Sequence, residues 1–203
     1  NSTGNSFVKN ILKNFEGETD VDIKIESTDK VYNNEGDEVS GLTRGIRDGI
    51  ITIEISSYEA SDKASLEVVR TLIHEYIHAD IYRKVYEDSD LHKDPVFKET
   101  FDKYKEAKFA PSQHHSTMAD LYIYQMRDAL KSYHKNVLTD SFNYITNNGT
   151  DPLPDLFYEG LAWRGLKDQN VNAWKEKGND TIAINNAVNN NYSKLSTTYC
   201  PNN

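Results

Sequence analysis

The longest periodic segment of the sequence begins after Ser61 and Asp62, either of which can cap a helix, and runs to about Tyr86. Its apolar residues repeat at the spacing of an α-helix and form one stripe, made by Leu66, Val69, Ile73 and Ile77. Such a stripe predicts a long helix that packs one face on a hydrophobic core. Any fold of this chain has to be arranged around that helix.

Two histidines and a glutamate lie in the middle of this helix, in the stretch HEYIH, which places His74, Glu75 and His78. Residues four apart on a helix point about 40° from each other, so the two imidazoles project side by side and can hold one metal ion. Glu75 points about 100° away from His74, which suits a base acting on a metal-activated water better than a third ligand. A chain with six histidines contains this motif by chance on the order of once in a hundred cases, so a purely structural helix is the alternative.

A third zinc ligand is expected downstream, because a catalytic zinc ion has three protein ligands and an open position for water. The helix predicted after Pro111 has an apolar stripe formed by Met118, Tyr122, Met126, Leu130 and Tyr133. Much of this stripe falls within about 20° of the direction of His115, whereas His114 points about 100° away from it. His115 is therefore the predicted third ligand, with a partly buried structural histidine as the alternative.

Other residues compete for this role. His92 lies in the polar stretch LHKDP, which predicts a solvated loop, and His114 is expected to support the helix. His134 is expected at a helix end, where a cation suits the helix dipole. Glu159, in FYEGLAW, fits a third ligand of the type that has two histidines and one glutamate. The choice among His115, His92, His114 and Glu159 stays open at this point.

The remaining patterns predict an α+β fold in one domain that spans residues 1–203. The predicted elements are a helix over residues 5–15, strands over 21–25 and from Gly49, and helices from Asp94, after Pro111 and over LFYEGLAWRGL. The strand from Gly49 alternates isoleucines with polar residues, which is typical of a sheet edge or a half-exposed sheet. An Asn-rich extension over about 178–203 is poorly patterned and suggests no function.

Charge and hydropathy exclude several functional classes. The net charge is −9 and the sequence pI is about 5.1, which argues against nucleic-acid binding, because such proteins cluster Lys and Arg against phosphates. No apolar run approaches the roughly 18 residues of a membrane span. The chain opens with NSTGNSF and no initiator Met, which suggests a trimmed or mature form and favours an extracytoplasmic location.

At these residues the sequence resembles the zincin metallopeptidases, and more narrowly the SprT-like group and its secreted bacterial relatives. The resemblance covers TLIHEYIHADIY, DPVFKETFDKY, HHSTMADLYIYQMRDAL and FYEGLAWRGL. It implies a small mixed or antiparallel sheet packed on helices that include the motif helix, zinc on His74 and His78, and Glu75 as general base. The SprT pattern of a histidine, a short spacer and Phe is matched only with an extra residue between His92 and Phe97. The HxxMA arrangement that begins at His115 is closer to the secreted relatives.

The resulting hypothesis is zinc-dependent hydrolysis of a polypeptide, with the strand at residues 50–56 binding an extended substrate along a free sheet edge. The alternatives are a catalytically inactive zincin-like binding module at the cell surface, a hydrolase of another bond type, and a SprT-like protease of DNA-associated proteins. The last is disfavoured because the chain has no basic accessory region. A secreted protein, or a lipoprotein separated from its anchor, is expected.

Overall fold

A computed structural model describes residues 3–16, 20–87, 94–104, 110–169 and 171–195, which form an α+β fold as predicted. The described helices are α1 (Thr3–Lys13), α2 (Ser57–Ser61), α3 (Ser65–Tyr86), α4 (Pro95–Lys103), α5 (Ala110–Leu121), α6 (Ile123–Asn136), α7 (Thr139–Ile145), α8 (Asp155–Trp163), α9 (Asn172–Glu176) and α10 (Asp180–Asn191). The described strands are β1 (Asp22–Thr28), β2 (Val31–Tyr32), β3 (Glu38–Val39), β4 (Gly41–Thr43) and β5 (Ile50–Ser56).

β5 is the central strand of a three-stranded mixed sheet. β1 pairs with it in parallel on one side, and β4 pairs antiparallel on the other. The prediction that β5 lies at a sheet edge is therefore wrong. Ile51 and Ile53 are fully buried with Val21 and with Ala79 of α3, so the alternation reflects a sheet covered on one face. Among the described strands, β4 is the sheet edge that contacts α3.

The motif helix α3 starts at Ser65, with Ala64 at its N-cap, and therefore begins later than predicted. The residues before it form the separate short helix α2, whose N-cap Ser56 accepts a hydrogen bond from the backbone N–H of Glu59. The buried stripe of α3 is confirmed for Leu66, Ile73 and Ile77. α3 contacts β4 and β5 on one side and α1, α6 and α8 on others, so it runs through the middle of the fold.

The segment predicted as a single helix after Pro111 folds as two helices. Pro111 lies in the first turn of α5, where a missing N–H is tolerated, and Tyr122 interrupts the helix before α6 begins. Met118 of α5 and Met126 and Leu130 of α6 are fully buried, so the apolar stripe is confirmed on both sides of the interruption.

The described residues of the Asn-rich C-terminal part contain regular structure, although their sequence is poorly patterned. α10 packs on α8, where Ile184 is buried and a Cβ on Gly160 would lie 2.2 Å from the Val188 side chain. Packing on an apolar neighbour thus orders a segment whose own propensity is weak. Within the described ranges, no helix has both the length and the apolar character needed to span a bilayer.

Candidate metal centre

Three histidines from two helices form one cluster. His74 and His78 of α3 and His115 of α5 each offer a ring nitrogen, and these nitrogens lie within 4.8 Å of one another. Nε2 of His74 lies 3.1 Å from Nε2 of His78. Two nitrogens bound at about 2.0–2.1 Å to a tetrahedral ion are about 3.3 Å apart, so the α3 pair already has nearly that spacing. The His115 ring centre lies 5.4 Å from that of His74 and 4.9 Å from that of His78.

The charge state of the cluster suits metal binding. Burial lowers the pKa of His74 and of His78 well below the ordinary value, and lowers the pKa of His115 to about 4. The three imidazoles are therefore neutral at pH 7 and can each offer a lone pair. Nδ1 of His74 and Nδ1 of His115 are buried and have no hydrogen-bond partner among the described residues. This donor set fits a divalent ion that prefers imidazole, zinc among them.

The two helices meet because each presents an apolar face next to its histidines. On α3, Ile73 and Ile77 are buried beside His74 and His78. On α5, Met118 is completely buried one turn after His115. Burial of these apolar neighbours orients the imidazoles between the two helices.

Glu75 lies beside the cluster and is held by the edge strand β4. Its Oε2 accepts a hydrogen bond of 2.8 Å from the Thr43 hydroxyl, which also lies 2.9 Å from the Glu75 backbone oxygen. Burial raises the pKa of Glu75 to about 7, although the hydrogen bonds from Thr43 oppose this rise. A carboxyl group with a pKa near neutrality can both accept and release a proton at physiological pH.

The close approach of β4 to α3 depends on Gly41. A Cβ at this position would lie 2.8 Å from Cγ2 of Thr71 and 3.1 Å from Cγ of Glu75. Real Cβ atoms do not approach other atoms so closely, so the strand packs at this distance only with glycine. Gly41 thus sets the position of Thr43 relative to Glu75.

His114 supports the cluster from outside it. Its Nδ1 lies 3.2 Å from Nδ1 of His78, and its ring packs at 4.5 Å against the edge of the Tyr82 ring. For His78 to present an unprotonated Nε2 toward His74, its Nδ1 must carry the proton and donate it to His114. In that tautomer His114 accepts the hydrogen bond and orients the His78 ring, which is a supporting role rather than that of a ligand.

The structure places Glu159 away from the histidines. Its carboxylate pairs with Nζ of Lys177 at 2.6 Å and lies 3.4 Å from the indole nitrogen of Trp163. This ion pair satisfies the carboxylate, and Glu159 is not among the described residues whose ligand atoms lie together in the cluster. His92, the other alternative ligand, lies outside the described residues.

His134 lies in the last turn of α6, as predicted, but the expectation that it is a cation there is wrong. Its side chain is fully buried between α6, α7 and α8, with Nδ1 3.0 Å from the Tyr158 hydroxyl and Nε2 3.3 Å from the Ser141 hydroxyl. Burial lowers the pKa of His134 to about 4, so the ring is neutral at pH 7. The free-energy cost of burying a cation exceeds the stabilisation that the helix dipole gives to a cation, so the ring stays neutral.

Sequence reasoning missed Thr43. This residue lies between the two predicted strands, where no element was predicted, and a strand of three residues is too short to show a period. Its role follows only from the long-range contact with α3. No local pattern would have identified it.

Comparisons with protein-family models, with curated proteins and with solved structures found no match to this chain. The resemblance to the zincin metallopeptidases therefore stays a prediction from the motif.

Proposed function

We propose that this chain is a zinc-dependent peptidase in which His74, His78 and His115 hold the ion and Glu75 is the general base. The observation that carries the proposal is the combination of three neutral, clustered imidazoles with a buried carboxylate one residue along the same helix. A structural site would need a fourth protein ligand. Within the described part of the chain, the grouped metal-binding side chains are these three histidines.

The chemistry divides between the ion and the chain. A bound zinc ion supplies a Lewis acid that polarises a carbonyl group and makes water more acidic. Glu75 accepts the proton of the attacking water and passes it to the nitrogen of the leaving amine. Its pKa of about 7 suits release of the proton to the amine, and a bound cation would lower this pKa and so favour the ionised form that accepts the proton. Thr43 keeps the carboxylate in one orientation during these transfers.

The substrate strand is proposed to pair with β4 rather than β5. In the antiparallel ladder, Ser40 and Arg44 exchange hydrogen bonds with β5. The backbone groups of Gly41 and Thr43 alternate with these and point away from β5. An extended peptide added at this edge would run alongside α3, next to Glu75. Main-chain pairing of this kind favours polypeptides over other ester or amide substrates.

The experiment that tests the proposal compares wild-type protein with Glu75→Gln. Zinc content is measured by elemental analysis, and hydrolysis is measured on an unfolded protein such as reduced casein. We expect one zinc per chain in both proteins and a loss of at least about a hundredfold in kcat for Glu75→Gln. Glu99→Gln, a change of the same type at an exposed position of α4, is the matched control and should leave the rate unchanged.

Two results would contradict the proposal. Wild-type rates in Glu75→Gln would remove this residue from the mechanism. Zinc bound at full occupancy without turnover of any unfolded protein would favour the binding-module alternative instead.

A further inference from the structure

A polar cavity of about 310 Å³ opens beside the N-terminal part of α3. It is lined by four cationic side chains, Lys63, Arg70, Arg164 and Lys167, and by two carboxylates, Glu67 and Asp168. The chain as a whole has a net charge of −9, so a lining with more cations than anions departs from the rest of the molecule. An excess of cations around a cavity favours the binding of anionic groups.

The carboxylates do not neutralise all of these cations. Glu67 pairs with Arg164 at 2.7 Å and lies 3.5 Å from Nε of Arg70, so two guanidinium groups share one carboxylate. Lys63 pairs with Glu59, outside the cavity lining. For Lys167, no carboxylate in the described residues lies within ion-pair distance, and its Nζ is 3.5 Å from the Asn185 side-chain oxygen. Set against Glu59, Glu67 and Asp168, the four cations leave an excess of one positive charge, and Arg70 and Lys167 are the cations without a carboxylate of their own among the described residues.

Arg70 also has unused hydrogen-bonding capacity. Its Nη1 donates a long hydrogen bond of 3.4 Å to the Arg164 carbonyl, and its Nε is buried without a hydrogen-bond partner. A guanidinium group has five N–H donors and commonly binds a carboxylate through two of them at once. The Arg70 side chain is 12% exposed, so a ligand there would meet a largely desolvated cation.

The turn after α8 shapes the cavity around Arg70. Gly165 has a φ of +85°, a backbone conformation that residues other than glycine rarely adopt. A Cβ at this position would lie 3.3 Å from Nη1 of Arg70. The turn can therefore close over the guanidinium group without displacing it. This part of the segment FYEGLAWRGL thus contributes to the cavity rather than to the metal cluster.

α3 contributes residues to both the cavity and the histidine cluster. Arg70 precedes His74 by one turn, about 6 Å along the axis, and its side chain leans toward the helix N-terminus. A separation on the order of 10 Å between guanidinium and cluster corresponds to two or three residues of extended peptide.

We propose that this cavity is a subsite that binds a carboxylate group of the polypeptide substrate, either an acidic side chain or a chain terminus, two or three residues from the bond that is cleaved. Arg70 and Lys167 are the cations that bind it. The inference rests on the proposed peptidase function and adds to it a preference for substrates that carry a carboxylate group near the cleaved bond.

The test measures peptide binding separately from hydrolysis. Zinc-supplied Glu75→Gln protein, which should not cleave the probes, is titrated by fluorescence anisotropy with three fluorescein-labelled heptapeptides. The first consists of alanines with a central Glu and has an amidated C-terminus. The second has Gln in place of this Glu, and the third is the Gln peptide with a free C-terminal carboxylate. We expect at least one carboxylate peptide to bind about tenfold more tightly than the amidated Gln peptide. The stronger of the two identifies the source of the carboxylate.

The same titrations are repeated after adding single substitutions to this protein. Arg70→Gln should reduce the preference to less than about twofold, and Lys167→Gln should reduce it in part. Lys167→Gln leaves the ion pairs of Glu67 intact. It therefore tests the subsite even if thermal melting shows that Arg70→Gln is poorly folded. The control Lys135→Gln removes the same charge from an exposed position of α6 and should keep the full preference.

Equal affinity for all three peptides would overturn the proposal, and so would equal effects of Arg70→Gln and Lys135→Gln. A preference that persists while wild-type protein cleaves none of the peptides or casein would count against the peptidase and leave the anion site standing. Cleavage of the peptides or casein without any preference for a carboxylate would support the peptidase and count against the anion site.

Discussion

The Thr43 hydroxyl lies 2.8 Å from the Glu75 carboxylate and 2.9 Å from the Glu75 backbone oxygen, so one side chain connects β4 to the motif helix. Both residues are buried. This contact fixes the position of the Glu75 carboxylate relative to β4. In the proposed mechanism β4 binds the substrate and Glu75 transfers the proton.

Replacing Thr43 with Val removes the hydroxyl and keeps the shape of the side chain. We expect kcat on casein to fall about tenfold, because the buried carboxylate loses the hydrogen bond that orients it. Zinc content should not change, since Thr43 is not a ligand. Thr43→Ser restores the hydroxyl and should recover most of the rate; equal rates for the Val and Ser variants would show that orientation by Thr43 is unimportant.

Substitution of the third ligand should abolish stable zinc binding. His115→Ala leaves two protein ligands, so we expect the zinc content to fall from one to below about 0.1 per chain after dialysis. His92→Ala, measured beside it, should retain zinc. The opposite pattern would make His92 the third ligand and would remove His115 from the site.

Removal of the supporting histidine should weaken the metal site without destroying it. In His114→Ala the Nδ1 of His78 loses its partner at 3.2 Å. We expect zinc affinity, measured by competition with a chromogenic chelator, to fall about 10–100-fold while the stoichiometry at saturation stays at one. Complete loss of zinc would instead identify His114 as a ligand, and unchanged affinity would leave it a packing role alone.

Enlarging Gly41 should separate β4 from α3. Gly41→Ala places a methyl group 2.8 Å from the Thr71 side chain, and we expect it to lower the free energy of unfolding by about 1–3 kcal/mol in urea titrations. Gly45→Ala is the matched control, because a Cβ there would lie 3.7 Å from the Tyr82 ring, an ordinary contact. Similar stability in both variants would mean that the strand can shift at little cost.

Buried His134 should make the fold sensitive to acid. Its pKa is about 4 in the folded protein and about 6.5 when unfolded, so only the unfolded chain takes up the proton between these values. The contribution of the neutral His134 ring to the free energy of unfolding is fully present above pH 6.5. It is lost as the pH falls toward 4, and the loss is about 3 kcal/mol at most.

The measurement for His134 is the free energy of unfolding at pH 7 and at pH 4.5, in zinc-free buffer, for wild type and His134→Gln. Glutamine does not titrate and can still bond to Tyr158 or Ser141. The variant should lose less stability between the two pH values than wild type. An identical loss would assign the acid sensitivity to other groups, such as the three clustered histidines.

The sequence by itself determined the local geometry. Helical periodicity puts His74 and His78 side by side and His115 on the inward face of a second helix, because residues four apart share a face whatever surrounds them. The buried stripe of α3 and the isoleucine face of β5 follow from the same rule. These features depend on neighbours along the chain.

Tertiary structure decided what depends on residues far apart in sequence. Alternation along β5 indicated a covered face, but pairing with β1 and β4 made the strand central. Thr43 meets Glu75 across 32 positions, and Glu159 is satisfied by Lys177 rather than by a metal. The physical reason is that periodicity specifies which face of an element is apolar, whereas the partner of that face is chosen by the packing of the whole chain.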